Sequence, residues 1–160
     1  MQYQVTYYEA RIDQKGRPAA TPRVSLARAS EFPVYREMIR GLGRECQWVA
    51  RTRLSDDELR SKFLSNRVWW VDSGWSRAGF CEVALRDGAA QICYLGVLPE
   101  FRGQGLATLL LERVLAELGA DGLSRVFLKT CELDDPAATE LYLKSGFRRT
   151  QQQLEDISID

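Results

Sequence analysis

The segment from Tyr94 to Leu118 constrains this chain more than any other. An extended run over residues 89–97 is followed by Pro99, then by Gly103 and Gly105, and then by Leu106, Leu109, Leu110, Val114, Leu115 and Leu118 at helical spacing. The spacing predicts a helix over residues 103–118, stopped by Gly119 and Gly122. A strand that feeds a long, apolar-striped helix must lay that helix on a sheet, which places the chain among the α+β or α/β folds. The corner also has chemistry. A helix N-terminus carries unpaired N–H groups and about half a positive charge, and glycines let an anion approach the backbone. The segment over residues 102–107 therefore reads as a pyrophosphate site, with Arg102 adding charge-assisted hydrogen bonds, or as a ligand-free glycine corner. It is neither the dinucleotide fingerprint nor a P-loop, because Gly-x-Gly-x-x-Gly and Gly-Lys-Ser/Thr are both missing.

The remaining elements fall into place around this segment. Residues 2–10 read as a strand, residues 13–22 as a Gly- and Pro-bearing loop, and residues 24–27 as a short strand. Ser30 is a candidate N-cap for a helix running to Gly41 or Gly43. Ser55 and Glu58 form a capping-box pattern for a helix over residues 56–64, with Leu59, Phe63 and Leu64 inward. Strands follow over residues 67–72 and 77–86, and Asp87-Gly88 turns the chain back into residues 89–97 as a hairpin. With a two-residue turn, Cys81 pairs with Tyr94, Glu82 with Cys93 and Val83 with Ile92. Cys81, Val83, Leu85, Ile92 and Tyr94 then share one face, unless a bulge shifts the register. A strand over residues 123–131, a helix capped by Asp135 with Pro136 first and ending near Gly146, and a strand over residues 147–157 complete the chain. The expectation is one domain over residues 1–160, a three-layer α+β fold. Its mixed, mostly antiparallel sheet of six to seven strands is flanked by helices.

Composition narrows the function. The 22 basic and 22 acidic residues cancel, which argues against a nucleic-acid binder that relies on a broad basic field. There is no histidine, so Ser-His-Asp and Cys-His nucleophilic sites and His-ligated zinc are ruled out within this chain. Cys46, Cys81, Cys93 and Cys131 lie far apart, without metal spacing, and read as reduced thiols; no metal is expected. The first residues lack a basic stretch followed by an apolar one, and no apolar run approaches the ~20 residues of a membrane span. The chain reads as cytoplasmic.

Two blocks carry a resemblance. Arg102-Gly103-Gln104-Gly105-Leu106-Ala107 is similar to the Arg/Gln-x-x-Gly-x-Gly/Ala signature of the GNAT N-acetyltransferase superfamily. Ala138, Leu141, Tyr142, Gly146 and Phe147 match its Ala-x-x-Leu-Tyr-x-x-x-Gly-Phe helix. The stretch over residues 130–136 resembles that of an uncharacterised bacterial branch. The resemblance covers roughly residues 77–147.

The resemblance implies a GNAT-like fold that uses acetyl-CoA as cosubstrate. Leu95, Gly96 and Val97 would bond the pantetheine arm, in a wedge where their strand parts from its neighbour. Arg102, Gly103, Gln104, Gly105, Leu106 and Ala107 would hold the pyrophosphate. Tyr142 would protonate the departing thiolate, a role that a phenol suits, and also contact the cofactor. Where the family often has Asn, this chain has Asp135, which caps a helix equally well but cannot donate as an amide does. Glu82 is the leading candidate for the base that deprotonates the amine, its alternative being a solvated or ion-paired strand residue. Asp134 or a water chain are further choices. The four tryptophans are core residues or, in part, an acceptor wall.

The function expected is acyl transfer to a primary amine, most simply a small molecule, by direct attack in a ternary complex. The alternatives are a catalytically inactive acyl-CoA sensor and, against the neutral charge, a toxin-like enzyme acting on charged tRNA. No membrane partner is expected, and a homodimer stays open.

Overall fold

The structure, a computed structural model, describes residues 2–12 and 23–156. Seven strands form one sheet: β1 (Gln2–Arg11), β2 (Val24–Leu26), β3 (Arg67–Ser73), β4 (Ser76–Arg86), β5 (Ala89–Val97), β6 (Arg125–Cys131) and β7 (Arg148–Asp156). Their order is β2-β3-β4-β5-β6-β1-β7, and β5–β6 is the parallel pair in an otherwise antiparallel sheet. Five helices flank it: α1 (Phe32–Glu45), α2 (Val49–Thr52), α3 (Asp56–Ser65), α4 (Leu106–Ala120) and α5 (Pro136–Lys144). The expected loop over residues 13–22 lies outside the described residues, as does the end of the last strand at residue 157.

The sheet has a core on each face. On one, α4 buries Leu110, Leu111, Val114 and Leu118 against Val83, Ile92, Val126 and Leu128. Each such side chain contributes roughly 1.5–3 kcal/mol by leaving water. On the other, α1 and α3 pack Tyr35, Ile39, Leu42, Leu59 and Phe63 on Trp70 and Phe80. The consecutive Trp69 and Trp70 fall into opposite cores, as strand alternation requires. Trp75, at the β3–β4 turn, is fully exposed.

Local chemistry explains several boundaries. Ser55 Oγ accepts from the Glu58 N–H at 3.2 Å while Glu58 accepts from the Ser55 N–H at 2.8 Å, the expected capping box. Leu64 points outward instead of inward, because Leu59 and Phe63 at i and i+4 already define the buried stripe. The first helix begins at Phe32 rather than after Ser30, which sits in a 3-10 turn, and it runs past both Gly41 and Gly43. Gly43 is a packing position: a Cβ there would lie 2.5 Å from Thr52 Cγ2 of α2.

The hairpin register is half as expected. Val83 pairs with Ile92 and Arg86 with Ala89, but Glu82 pairs with Tyr94 and Cys81 with Leu95. Cys93 is an extra residue, a β-bulge. The bulge moves Tyr94 off the expected Cys81 face and onto the face of Glu82.

Candidate active site

β5 and β6 pair only at Ala90–Val126 and Gln91–Phe127, and beyond these residues they part. From Leu128 onward β6 is bonded only to β1. The gap opens a cavity of about 540 Å³, walled by β5 from Gln91 to Val97 and by β6 from Leu128 to Cys131. Leu95, Gly96, Val97, Arg102, Ala107, Asp135 and Tyr142 all line it, so most of the residues expected from sequence meet at one place. Gly103, Gln104, Gly105 and Leu106 form the adjoining corner.

At that corner the helix starts later than its spacing suggested. Gly103 (φ +81°) and Gly105 (φ +74°) are both left-handed, and α4 begins at Leu106 with Gly105 as its N-cap. Left-handed backbone costs other residues roughly 1–2 kcal/mol, which is why glycines stand here. Among the described residues, no acceptor takes the N–H groups from Gly103 to Thr108. They form a short run of unpaired donors at a helix start, the arrangement that suits a phosphate. Ser73 Oγ, 3.1 Å from Gln104 Oε1, steadies the turn. Arg102 is held rather than loose: its Nε donates to the Val97 carbonyl at 3.0 Å and its Nη1 to Glu45 at 2.5 Å. It still lines the cavity.

Tyr142 projects from α5 into the cavity, 7% exposed, its ring edge-on to Phe147. Its hydroxyl makes no hydrogen bond among the described residues, and burial pushes its pKa well above that of an ordinary phenol, so it stays protonated. Asp135 spends one oxygen on the cap, accepting from the Ala137 N–H at 2.9 Å. Its neighbour Asp134 also lines the cavity and accepts from the Cys131 N–H at 2.8 Å. Burial raises the Asp134 pKa, against the pull of that hydrogen bond.

Glu82 lies where alternation put it, on the strand beside β5 and facing away from Cys81, but it does not reach the cavity. It is fully buried. Its Oε1 accepts from Arg51 at 2.5 Å and Asn66 at 2.7 Å, and its Oε2 from the Tyr35 hydroxyl at 2.6 Å. It is an ion-paired strand residue with no free oxygen to offer an amine. Its partner Arg51 does line the cavity, with Cζ 5.0 Å from the centre of the Tyr94 ring. Tyr94 packs on Trp48 with ring centroids 4.9 Å apart. Trp48 reaches β5 because Gly96 is bare; a Cβ there would come within 2.8 Å of the indole. Of the four tryptophans, Trp48 alone lines the cavity.

The sequence reading missed Arg51, because nothing marks α2 as a four-residue helix, and it missed Tyr94 through the bulge. The cysteines at the cavity, Cys46, Cys93 and Cys131, have thiols pushed up by burial, Cys93 to about 11, so none is activated as a nucleophile. Among the described residues no group of His, Cys, Asp or Glu is placed to hold a metal, and no helix is long and apolar enough to cross a membrane.

Solved structures share this architecture. A GCN5-related N-acetyltransferase from Sphaerobacter thermophilus superposes with a TM-score of 0.71 at 16% identity, covering 98% of this chain and 52% of the other. The PaiA N-acetyltransferase of Thermoplasma acidophilum, solved with coenzyme A, gives 0.68 at 15% identity over 84% and 94%. The ribosomal-protein-S18-alanine N-acetyltransferase of Escherichia coli gives 0.66 at 19% identity over 80% and 78%. The chain spans 52–63% of the length of three of the structures it matches. Residues 35–147 match the model of the Acetyltransferase (GNAT) family. With a matching segment that runs from within α1 through α5 and holds most of the residues lining the parted-strand cavity, the chain belongs to the Acetyltransferase (GNAT) family.

Proposed function

We propose that the protein transfers an acetyl group from acetyl-CoA to a primary amine by direct attack in a ternary complex. The observation that carries this reading is the cavity where β5 and β6 part, adjoining a glycine turn whose N–H groups have no partner among the described residues. The diphosphate would sit on the N–H groups of residues 103–108, with Arg102 beside it. The pantetheine arm would lie along Leu95, Gly96 and Val97, where β5 is paired with β4 but has no partner on its β6 side. A backbone N–H of that edge would polarise the thioester carbonyl and stabilise the oxyanion.

The amine nitrogen attacks the carbonyl carbon, the C–S bond breaks, and the sulfur takes a proton from Tyr142. The amine must lose protons in return. Asp134, a cavity carboxylate whose pKa is raised by burial, suits this, directly or through water. Glu82 then has a positioning role: it holds Arg51 against Tyr94 and so shapes the acceptor wall.

The test is calorimetric titration with coenzyme A, followed by thiol release measured against a panel of amines. Binding near micromolar and release with some amines are expected. Absence of binding would remove the acyl-CoA reading; binding without release across a broad panel would favour the sensor.

A further inference from the structure

The acceptor half of the cavity has a charge arrangement that the reaction does not require. Asp134 and Asp135 stand at the end where β6 runs into α5. Arg86 stands at the opposite end, at the hairpin that starts β5, and Lys62 and Arg51 also line the wall. Other charged groups at the cavity are engaged: Lys129 pairs with Glu155 at 3.1 Å and Arg102 with Glu45. Among the described residues, Lys62 and Arg86 make neither an ion pair nor a side-chain hydrogen bond. Arg51 adds an independent sign. It is 7% exposed and satisfied by Glu82 on one nitrogen, but its Nε–H is buried without an acceptor. A buried unpaired donor on a guanidinium is costly, and natural structures seldom leave one without a ligand or water to fill it.

We infer that the acceptor amine also carries an anionic group, seated by Arg51, Lys62 and Arg86 while its amine lies toward Asp134. This inference rests on the acetyl-transfer reading for the identity of the amine, but the anion subsite stands on Lys62 and Arg86, the cavity cations without a partner among the described residues, and on the unsatisfied Nε–H of Arg51. A planar guanidinium and two flexible cations suit a carboxylate or a phosphate equally, and an acceptor with separated plus and minus ends matches the wall's own polarity. The ring faces of Trp48 and Tyr94 between the two ends would cover an apolar middle.

The experiment compares matched compounds: ω-amino acids of increasing length with an aliphatic or aromatic middle, their carboxamides, and their ω-aminophosphonate counterparts. Each is titrated calorimetrically into the full chain with and without coenzyme A, and each is assayed for acetyl transfer. Carboxylates or phosphonates should bind about tenfold or more tightly than carboxamides, the worth of one charged hydrogen bond. Whichever of the two wins names the anion. In K62Q, R86Q and the double variant the margin should fall to about threefold or less; because it is a ratio within one protein, a general loss of activity cancels. Carboxamides binding as well as the anions, a margin that survives in the double variant, or no binding by any compound would each overturn the subsite. If coenzyme A gives no heat but the anion margin persists, the acyl-CoA reading fails and the subsite stands.

Discussion

The two halves of the cavity are built from different materials. The half proposed for the cofactor is backbone: two left-handed glycines, a run of N–H groups without an acceptor among the described residues and the edge of β5 that β6 leaves open. The half proposed for the acceptor is side chain: Trp48 and Arg51 beyond α1, Lys62 from α3, Arg86 from the hairpin and Tyr94 beside the bulge, with Arg51 held by the buried Glu82. A backbone site needs particular residues at consecutive positions, whereas a side-chain site needs only that distant residues arrive together. The first tolerates substitution of its neighbours; the second fails when one buried charge loses its counterpart.

Removing Glu82 should expose that fragility most. Glu82→Ala leaves the guanidinium of Arg51 buried beside unpaired Asn66 and Tyr35, a loss expected at about 3–5 kcal/mol in urea unfolding. Adding Arg51→Met to it should recover part of that loss. A Glu82→Ala variant within 1 kcal/mol of the parent (roughly the worth of a surface ion pair) would break the comparison. In the reaction itself, Tyr142→Phe should lower turnover about a hundredfold while coenzyme A affinity stays within about twofold. Unchanged turnover would remove Tyr142 as the acid.

This contrast also decides what was legible in the sequence. The left-handed turn at Gly103 and Gly105, the place of Tyr142 on its helix and the Asp135 cap were legible because each is set by local backbone and by short spacing. The order of strands and helices followed from period changes and from Asp87-Gly88. The bulge at Cys93 was not legible: one extra residue in a strand changes no composition, yet it turned Tyr94 onto the other face. Arg51 was hidden for a different reason. Its significance comes from Glu82, thirty-one residues away and brought close only by the sheet. Residue type and alternation place Glu82 correctly, but whether its oxygens are open or occupied depends on Tyr35 and Asn66.

The backbone half responds to conformation rather than to partners. A Cβ at Gly105 would meet nothing within 4 Å, so Gly105→Ala adds only the strain of φ +74°. That strain, roughly 1–2 kcal/mol, is relieved by straightening the turn that would hold the phosphates. Coenzyme A should bind about tenfold more weakly, with acceptor preference among amines unchanged. A loss of acceptor preference together with cofactor affinity would show that the two halves are not separable.

The smallest effect is a pH dependence that lies where the halves meet. Burial raises the Asp134 pKa over that of a solvated aspartate, so the folded protein keeps this proton more firmly than the unfolded chain does. The stabilising contribution is therefore full below the unfolded pKa of about 3.9 and is lost as pH rises through the folded value. Asp134→Asn keeps an oxygen for the Cys131 N–H and cannot titrate. The parent should accordingly lose slightly more stability than the variant between pH 3 and pH 7, read from urea midpoints. As the proposed base, Asp134 acts only when ionised: kcat/KM should climb as pH rises through that raised pKa, and the climb should vanish in Asp134→Asn, leaving only the acceptor's own titration. Parallel stability curves with the kinetic limb intact would assign the proton to water and leave Asp134 a capping residue of the loop before α5.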